Sequence, residues 1–83
     1  MKVTVRFFAS LREALGPVEV IELAEGATAG AARDLLIARG GRFAEVLSRG
    51  RAVRCAVDQL MADEEAPLGD GTELAFFPPV TGG

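Results

Sequence analysis

The most constraining feature of this sequence is its ending, where the apolar segment 74–77 stops at Pro78-Pro79 and the chain closes with Gly82-Gly83. Because proline has no N–H to give to a sheet, the two prolines end the strand that residues 74–77 predict. Consecutive prolines favour an extended backbone, and glycines without a Cβ fit a narrow channel. The pattern predicts a tail that inserts into a partner, but a frayed chain end or a cloning remnant has the same composition.

The length and charge of the chain limit its architecture and its partners. With 83 residues, we expect a single domain over 1–83, of which 78–83 form an extended C-terminal tail. The net charge of −3 and the lack of a basic patch interleaved with aromatic residues argue against nucleic acid. No apolar run approaches the roughly 20 residues that span a bilayer, and no signal peptide opens the chain. These features predict a cytoplasmic protein without a membrane partner.

The residue types that are absent exclude several kinds of catalysis. The chain has no histidine and one cysteine, which rules out Ser-His and Cys-His catalysis and the usual zinc sites. Cys55 alternates with Val53 and Val57, so we expect it to be a buried structural thiol. The acidic run 63–65 is expected to be a solvated loop rather than a metal site. The sequence predicts neither a bound metal nor an active site of its own.

Alternation and apolar content predict five strands, of which one is short: Lys2–Phe8, Val18–Leu23, Ala52–Val57, Leu60-Met61 and Thr72–Phe77. Phe8 breaks the alternation of the first strand. It is expected in the core, with a partner contact as the alternative. The second strand changes phase at Val20-Ile21, which predicts a bulge or partial burial of both faces.

Capping patterns predict two helices before the middle of the chain. Ser10 and Glu13 have the spacing of a capping box, at the start of a helix of little more than one turn. Thr28 is the predicted N-cap of the main helix, which extends to about Arg39. Gly30, inside the first turn, is expected to weaken this helix by roughly 1 kcal/mol relative to alanine.

Two stretches are distinctive as written. Residues 70–83 have the sequence DGTELAFFPPVTGG and residues 3–13 have VTVRFFASLRE. Together they resemble the small subunits of molybdopterin synthase, and the likeness extends more weakly over the whole length. Two positions depart from the family pattern, Thr72 where an acidic residue is usual and Asp58 where asparagine is usual. Both lie in predicted turns or strand edges, away from the tail.

The resemblance and the order of predicted elements imply the same fold class. That class is α+β, with the β-grasp, ubiquitin-like architecture. It consists of a mixed sheet of about five strands covered by one main helix. The first and last strands are the most apolar, and we expect them side by side at the centre of the sheet.

The resemblance also implies a function, that of a non-catalytic, sulfur-donating subunit of a synthase complex. A partner of the ubiquitin-activating type uses ATP to adenylate the C-terminal glycine, Gly83, while Gly82 gives steric access. Sulfur from a persulfide protein then converts Gly83 into a thiocarboxylate. The tail enters the large synthase subunit, where the sulfur builds the dithiolene of molybdopterin. No cofactor is expected to be bound by the chain itself.

Contacts with the partner are expected from an apolar patch near the tail, because ordering a tail alone is entropically costly. The residues that we expect in these contacts are Phe8, Phe77, Pro78, Pro79, Val80 and Thr81. Two alternative functions begin with the same adenylate. One is a sulfur carrier for another pathway such as thiazole synthesis, and the other is a ubiquitin-like modifier joined to lysines through Gly83.

Overall fold

The elements follow one another with short connections in a computed structural model that describes residues 1–79. The strands and helices, in chain order, are β1 (Lys2–Phe7), α1 (Ala9–Leu15), β2 (Val18–Glu22), α2 (Ala29–Ala38), α3 (Gly41–Leu47), β3 (Arg54–Val57), β4 (Leu60–Ala62) and β5 (Glu73–Phe77). None of these helices is long and apolar enough to cross a membrane.

The five strands form one mixed sheet in the order β2-β1-β5-β3-β4. The central pair, β1 and β5, is parallel, with Val5 opposite Leu74, and the other neighbouring pairs are antiparallel. The sheet confirms the predicted fold class, with the first and last strands adjacent at its centre. Because both strands have neighbours on each side, their backbone N–H and C=O groups are paired along both edges of the strand.

One face of the sheet packs against the helices and forms the core. The alternation of β1 turns Val3, Val5 and Phe7 inward, each at most 1% exposed. Phe7 stacks on Phe76 of β5, with ring centroids 6.4 Å apart. The helices complete the core with Leu11, Ala32, Leu36 and Leu47. Burying each large apolar side chain contributes about 1.5–3 kcal/mol, so this face supplies most of the stability of the domain.

The main helix follows the prediction closely. Thr28 is the N-cap of α2, and its Oγ1 accepts a hydrogen bond from the backbone N–H of Ala31 at 3.2 Å. The helix ends at Ala38, with Arg39 as its C-cap. Arg39 lies over the ring of Phe43, with the guanidinium carbon 5.5 Å from the ring centroid.

Two local predictions are wrong. Ser10 is not an N-cap, because α1 begins one residue earlier and extends over seven residues. Its N-cap is Phe8, whose side chain has no oxygen that could accept a capping hydrogen bond. The strand β1 leads directly into this helix, whose first residue, Ala9, has a φ of 52°. In β2 we expected a bulge or partial burial of both faces. The bulge is absent, because the pairing with β1 is uninterrupted from Val18 to Glu22, and the side of β2 away from the core is exposed rather than partly buried.

The change of phase in β2 has a different origin from a bulge. Ile21 faces the core and is 2% exposed, whereas Val20 on the other side of the strand is 59% exposed. Because β2 is an edge strand, with one face covered by helices, the sequence there combines a core residue with apolar residues that stay outside. Apolar character on both faces of a strand therefore marks an exposed surface here.

Gly30 lies in the first turn of α2, pressed against the segment that follows β4. Its N–H donates to the carbonyl oxygen of Glu64 at 2.8 Å, and a Cβ on Gly30 would lie 3.1 Å from that same oxygen. The oxygen cannot retreat without lengthening the hydrogen bond. We therefore expect Gly30→Ala to destabilise the fold by about 1 kcal/mol, although alanine is the better helix former by a similar amount.

Thermal unfolding of Gly30→Ala beside Gly50→Ala tests this expectation. Gly50 has no heavy atom within 4 Å of an added Cβ, so its substitution is a control for a crowding effect. We expect the control to change the free energy of unfolding by less than about 0.5 kcal/mol. An unfolding temperature of Gly30→Ala above that of the wild type would contradict the argument.

Candidate functional site

The described chain leaves the sheet at the end of β5, between β1 and β3. Phe77 is the last residue of that strand and lies opposite Arg54 of β3. Pro78 and Pro79 follow outside the strand, and both are half-buried. The strand therefore ends where the prolines begin, as their chemistry dictates. The other predicted tail residues, Val80, Thr81, Gly82 and Gly83, lie outside the described residues.

Phe8 lies beside this exit on the neighbouring strand. Its N–H donates to the carbonyl oxygen of Phe76 at 3.1 Å, and its side chain is 44% exposed. The expectation that Phe8 belongs to the core is wrong. Phe7 points inward, opposite Phe76. Because the backbone at Phe8 is extended, the side chain of Phe8 points to the opposite face of the sheet. The structure brings Phe8, just after the end of β1, next to the last residues of β5.

These two residues lie on the side of the sheet away from the core, where further exposed apolar side chains surround the ion pair of Arg6 and Glu73. We call this apolar surface the outer face and define it by Phe8, Val18, Val20, Met61 and Phe77. Val18 is 42% exposed, Val20 59% and Met61 65%. Isolated exposed apolar residues are ordinary, but several on one face of a sheet are typical of an interaction surface. The outer face continues directly into the residues that lead to the tail.

Sequence reasoning missed three members of the outer face, Val18, Val20 and Met61. The signal for the two valines was present in β2, where they alternate with Glu19 and Ile21 and so occupy the face opposite the core. Met61 had no such signal, because β4 is only three residues long. Its side is determined by its pairing with Ala56 of β3.

A buried arginine organises the other side of the domain. Arg33 of α2 is 3% exposed, although it lies in the apolar stripe of a helix. Its guanidinium donates to Glu64 at 2.6 Å and to three backbone carbonyl oxygens at 2.7–2.9 Å, those of Leu47, Ser48 and Arg51. Arg33 thus holds the connection between α3 and β3, which leads into the strand beside β5. Its place in the apolar stripe of α2 was the only local signal, and it did not identify the partners of the guanidinium.

Glu64 is the acidic centre of that cluster. It accepts from Arg33 and also from Arg49, which pairs in addition with Asp34 at 2.8 Å. Burial acts to raise the pKa of Glu64, but the hydrogen bonds from Arg49 and Arg33 outweigh it and hold the pKa below the ordinary value. The prediction that 63–65 form only a solvated loop is therefore wrong for Glu64. Within residues 1–79, no three histidine, cysteine, aspartate or glutamate side chains are grouped to hold a metal ion.

Cys55 is buried on the core face of β3, as predicted. Its side chain is among the core residues, at 3% exposure, and its Sγ lies 3.4 Å from the carbonyl oxygen of Ala62, to which the thiol donates. Burial raises the pKa of this thiol, and the nearby carboxylates of Glu64 and Asp63 raise it further. A thiol that is buried and protonated at neutral pH packs as a small apolar group.

Comparison with known families covers both the sheet and the segment that follows β5. The model of the ThiS family matches residues 5–83, which include the whole of β5 and all that follows it. The chain belongs to the ThiS family. Within that family it belongs with the molybdopterin synthase sulfur carrier subunits. The subunit of that name from Haemophilus influenzae is 42% identical over 80 residues, which cover 95% of this chain and 96% of the relative.

Solved structures carry the same fold. Small archaeal modifier protein 1 from Haloferax volcanii superposes with a TM-score of 0.79 at 25% identity, over 95% of this chain and 98% of that one. A complex of subunits 1 and 2 of molybdopterin-converting factor from Helicobacter pylori contains a chain with a TM-score of 0.69 at 26% identity, and each chain is covered completely. These similarities confirm the ubiquitin-like β-grasp fold of this ThiS-family chain.

Proposed function

We propose that this sulfur carrier holds its sulfur on Gly83, as a C-terminal thiocarboxylate, and delivers it inside the large subunit of molybdopterin synthase. The observation that carries the proposal is the family match, which extends through residue 83 and so includes the Gly82-Gly83 ending. The position of β5 supports it. A central strand that stops at two prolines gives the tail a rigid base beside the outer face.

The first step activates the terminal carboxylate. With an ordinary pKa of about 3.3–3.7 it is ionised at neutral pH, and as an anion it is a poor electrophile. Its oxygen attacks the α-phosphate of ATP in an adenylating partner of the ubiquitin-activating type, which gives an acyl-adenylate and pyrophosphate. The ATP is bound by the partner. Gly82 and Gly83 have no side chains to obstruct a pocket that closes around the carbonyl carbon.

The second step replaces AMP with sulfur. The terminal sulfur of a persulfide on a donor protein attacks the acyl carbon, AMP leaves, and an acyl disulfide forms. A thiol then attacks the donor's sulfur in this disulfide, so that the thiocarboxylate leaves on Gly83 and the donor and thiol remain joined as a disulfide. Persulfides and free thiols persist in reducing compartments, and this chemistry supports a cytoplasmic location for the carrier.

The third step occurs in the large subunit, and it needs both the tail and a docking surface. Immobilising a tail costs about 1–2 kcal/mol per residue in backbone entropy, so tail contacts alone are a poor basis for affinity. The outer face, which includes Phe77, supplies apolar area next to Pro78 and Pro79. The two-subunit complex from Helicobacter pylori supports an assembly of this kind. After transfer, water hydrolyses the acyl–sulfur bond, which leaves the sulfur on the pterin and a carboxylate on Gly83.

Reconstitution tests the proposed function. Thiocarboxylated protein, mixed with a large synthase subunit and the cyclic pyranopterin precursor, is expected to yield molybdopterin, with two carriers consumed per product because a dithiolene contains two sulfurs. The carboxylate form is the matched control and is expected to yield none. If a competent large subunit gives no product but the protein transfers sulfur in a thiazole-forming assay, the carrier serves that other pathway.

A second candidate function is conjugation to other proteins through Gly83. The observation that favours it is the similarity to small archaeal modifier protein 1. Both functions begin with an acyl-adenylate, and they differ in the nucleophile that follows, a persulfide sulfur or a lysine amine. Mass spectrometry of protein from the native host separates them. Exchange of one terminal oxygen for sulfur indicates a carrier, whereas Gly-Gly remnants on the lysines of other proteins indicate a modifier.

A further inference from the structure

The charges of the domain are distributed unevenly along its strands. At the end opposite the tail, Asp70 accepts from the N–H of Lys2, Glu22 lies opposite Lys2, and Asp58 bonds the first residue of β5. Acidic side chains dominate there. The segment 46–57, which leads to the strand beside the tail, contains three arginines and no acidic residue. The chain as a whole is acidic, with a net charge of −3, so this segment stands out.

Two of these arginines are exposed, and one of them lies at the place where the chain leaves the sheet. Arg54 begins β3 and lies opposite Phe77, and Arg51 precedes it in the connection from α3. Arg49, by contrast, is bound to Glu64 and Asp34. Within residues 1–79, neither Arg51 nor Arg54 has a carboxylate within ion-pair distance. We call these two residues the arginine border.

The position of the arginine border is fixed by the structure around it. The carbonyl oxygen of Arg51 accepts from the buried Arg33 at 2.9 Å, and the backbone of Arg54 is paired in the sheet with Phe77. The backbone of Arg54 is therefore held at a fixed place relative to Phe77, and the backbone of Arg51, three residues earlier, is anchored to Arg33. An exposed cation with no local partner, fixed beside a docking surface, favours a negatively charged counterpart on the molecule that docks.

We propose that the arginine border contacts an acidic surface on the large synthase subunit, next to the site that receives the tail. The proposal rests on the function proposed above and adds the charge of the partner's surface. The apolar outer face supplies contact area, while the arginines orient the carrier with its tail toward the partner. The end of the carrier opposite the tail is acidic, so the acidic surface of the partner would repel a carrier that approaches with that end first.

The test compares association rates of the purified large subunit with the wild type, Arg54→Glu and Lys2→Glu. Lys2 is exposed and lies at the opposite end of β1, so Lys2→Glu changes the net charge equally but far from the tail. We expect Arg54→Glu to slow association by about 3- to 10-fold at low ionic strength and by less than about 2-fold at 0.5 M salt. Lys2→Glu is expected to change the rate by less than about 2-fold.

Each other outcome overturns a stated part of the argument. Equal rates for Arg54→Glu and the wild type, with unchanged unfolding temperatures, would exclude an acidic counterpart at this border. Equal slowing by both variants would show a net-charge effect and would also exclude it. Failure of the wild type to bind the large subunit would contradict the proposed function itself, so the two failures are distinguishable. A faster Arg54→Glu would indicate a basic counterpart.

Discussion

Deletion of Gly82 and Gly83 is expected to abolish sulfur transfer while leaving the unfolding temperature of the domain unchanged. Glycine has no side chain, so we expect the loss of Gly82 and Gly83 to remove no apolar side-chain area from the core. It moves the terminal carboxylate back by roughly 7 Å, since an extended residue spans about 3.3–3.6 Å. A displacement of 1 Å at a reacting group already costs about 10²-fold, so we expect no detectable product.

The control for this deletion is Gly50→Ala, which lies outside the expected partner contacts and keeps the length of the tail and its terminal glycines. We expect this variant to remain active in the reconstituted assay. Thermal unfolding of the deleted protein and the wild type provides the second measurement. Product formation without Gly82 and Gly83 would show that the sulfur is carried elsewhere. A fall in unfolding temperature of more than about 4–8 °C, equivalent to about 1 kcal/mol, would show that the tail packs on its own domain.

The second large effect is expected from Arg33→Met. Methionine replaces the apolar stem of the arginine side chain but has no guanidinium group. The substitution leaves three carbonyl oxygens without their donor and leaves Glu64 paired only with Arg49. Removing one member of a buried charged network costs about 3–5 kcal/mol. For a domain with a total stability of about 5–15 kcal/mol, this is a large share. We expect the unfolding temperature to fall by roughly 12–24 °C, taking 4–8 °C per kcal/mol and the lower cost.

Arg39→Met is the matched control, because Arg39 is an exposed arginine at the end of the same helix. It pairs with Glu19 at 3.0 Å, and its side chain is 39% exposed, so we expect a loss below about 1 kcal/mol. Chemical denaturation of both variants gives the two free energies. If Arg33→Met lost no more stability than Arg39→Met, the buried network would be structurally dispensable.

The pH dependence of stability gives an independent measure of the same network. The folded pKa of Glu64 lies below the ordinary value of glutamate, so its pairing stabilises the fold above that ordinary pKa. This contribution is lost as the pH falls through the folded pKa. In Arg33→Met the carboxylate keeps only Arg49, which is itself half-exposed. The variant is therefore expected to lose less stability on acidification than the wild type does.

The sheet and its centre could be predicted because their signals are local. Alternation in β1 placed Val3, Val5 and Phe7 on one face, and Thr28 identified the start of α2. Phe8 could not be placed in the same way. A pair of aromatic residues at the end of a strand includes one on each face, and only the neighbouring strand shows which face is covered. The phase change in β2 had the same ambiguity.

The buried network was beyond local reasoning because its members are distant in sequence. Arg33 and Glu64 are 31 residues apart, and the carbonyl groups that Arg33 binds belong to a connection 14–18 residues away. An arginine in an apolar helical stripe is a recognisable exception, but the pattern does not identify its partners. The absence of side chains at the terminal glycines suggested a tail that fits a narrow channel, but only the family resemblance indicated a role for Gly83, and that role stays a prediction.

The parallel pairing of β1 with β5 determines when the protein can fold during its synthesis. Arg6 and Glu73, which pair across these strands, are 67 residues apart, so the central ladder closes nearly the whole chain into one loop. Such long-range closure is slow, and it cannot start until β5 has left the ribosome. Chains that are terminated early lack the strand at the centre of the sheet. Fragments released early therefore lack the strand that joins β1 to β3, and the five-stranded sheet cannot assemble around its centre.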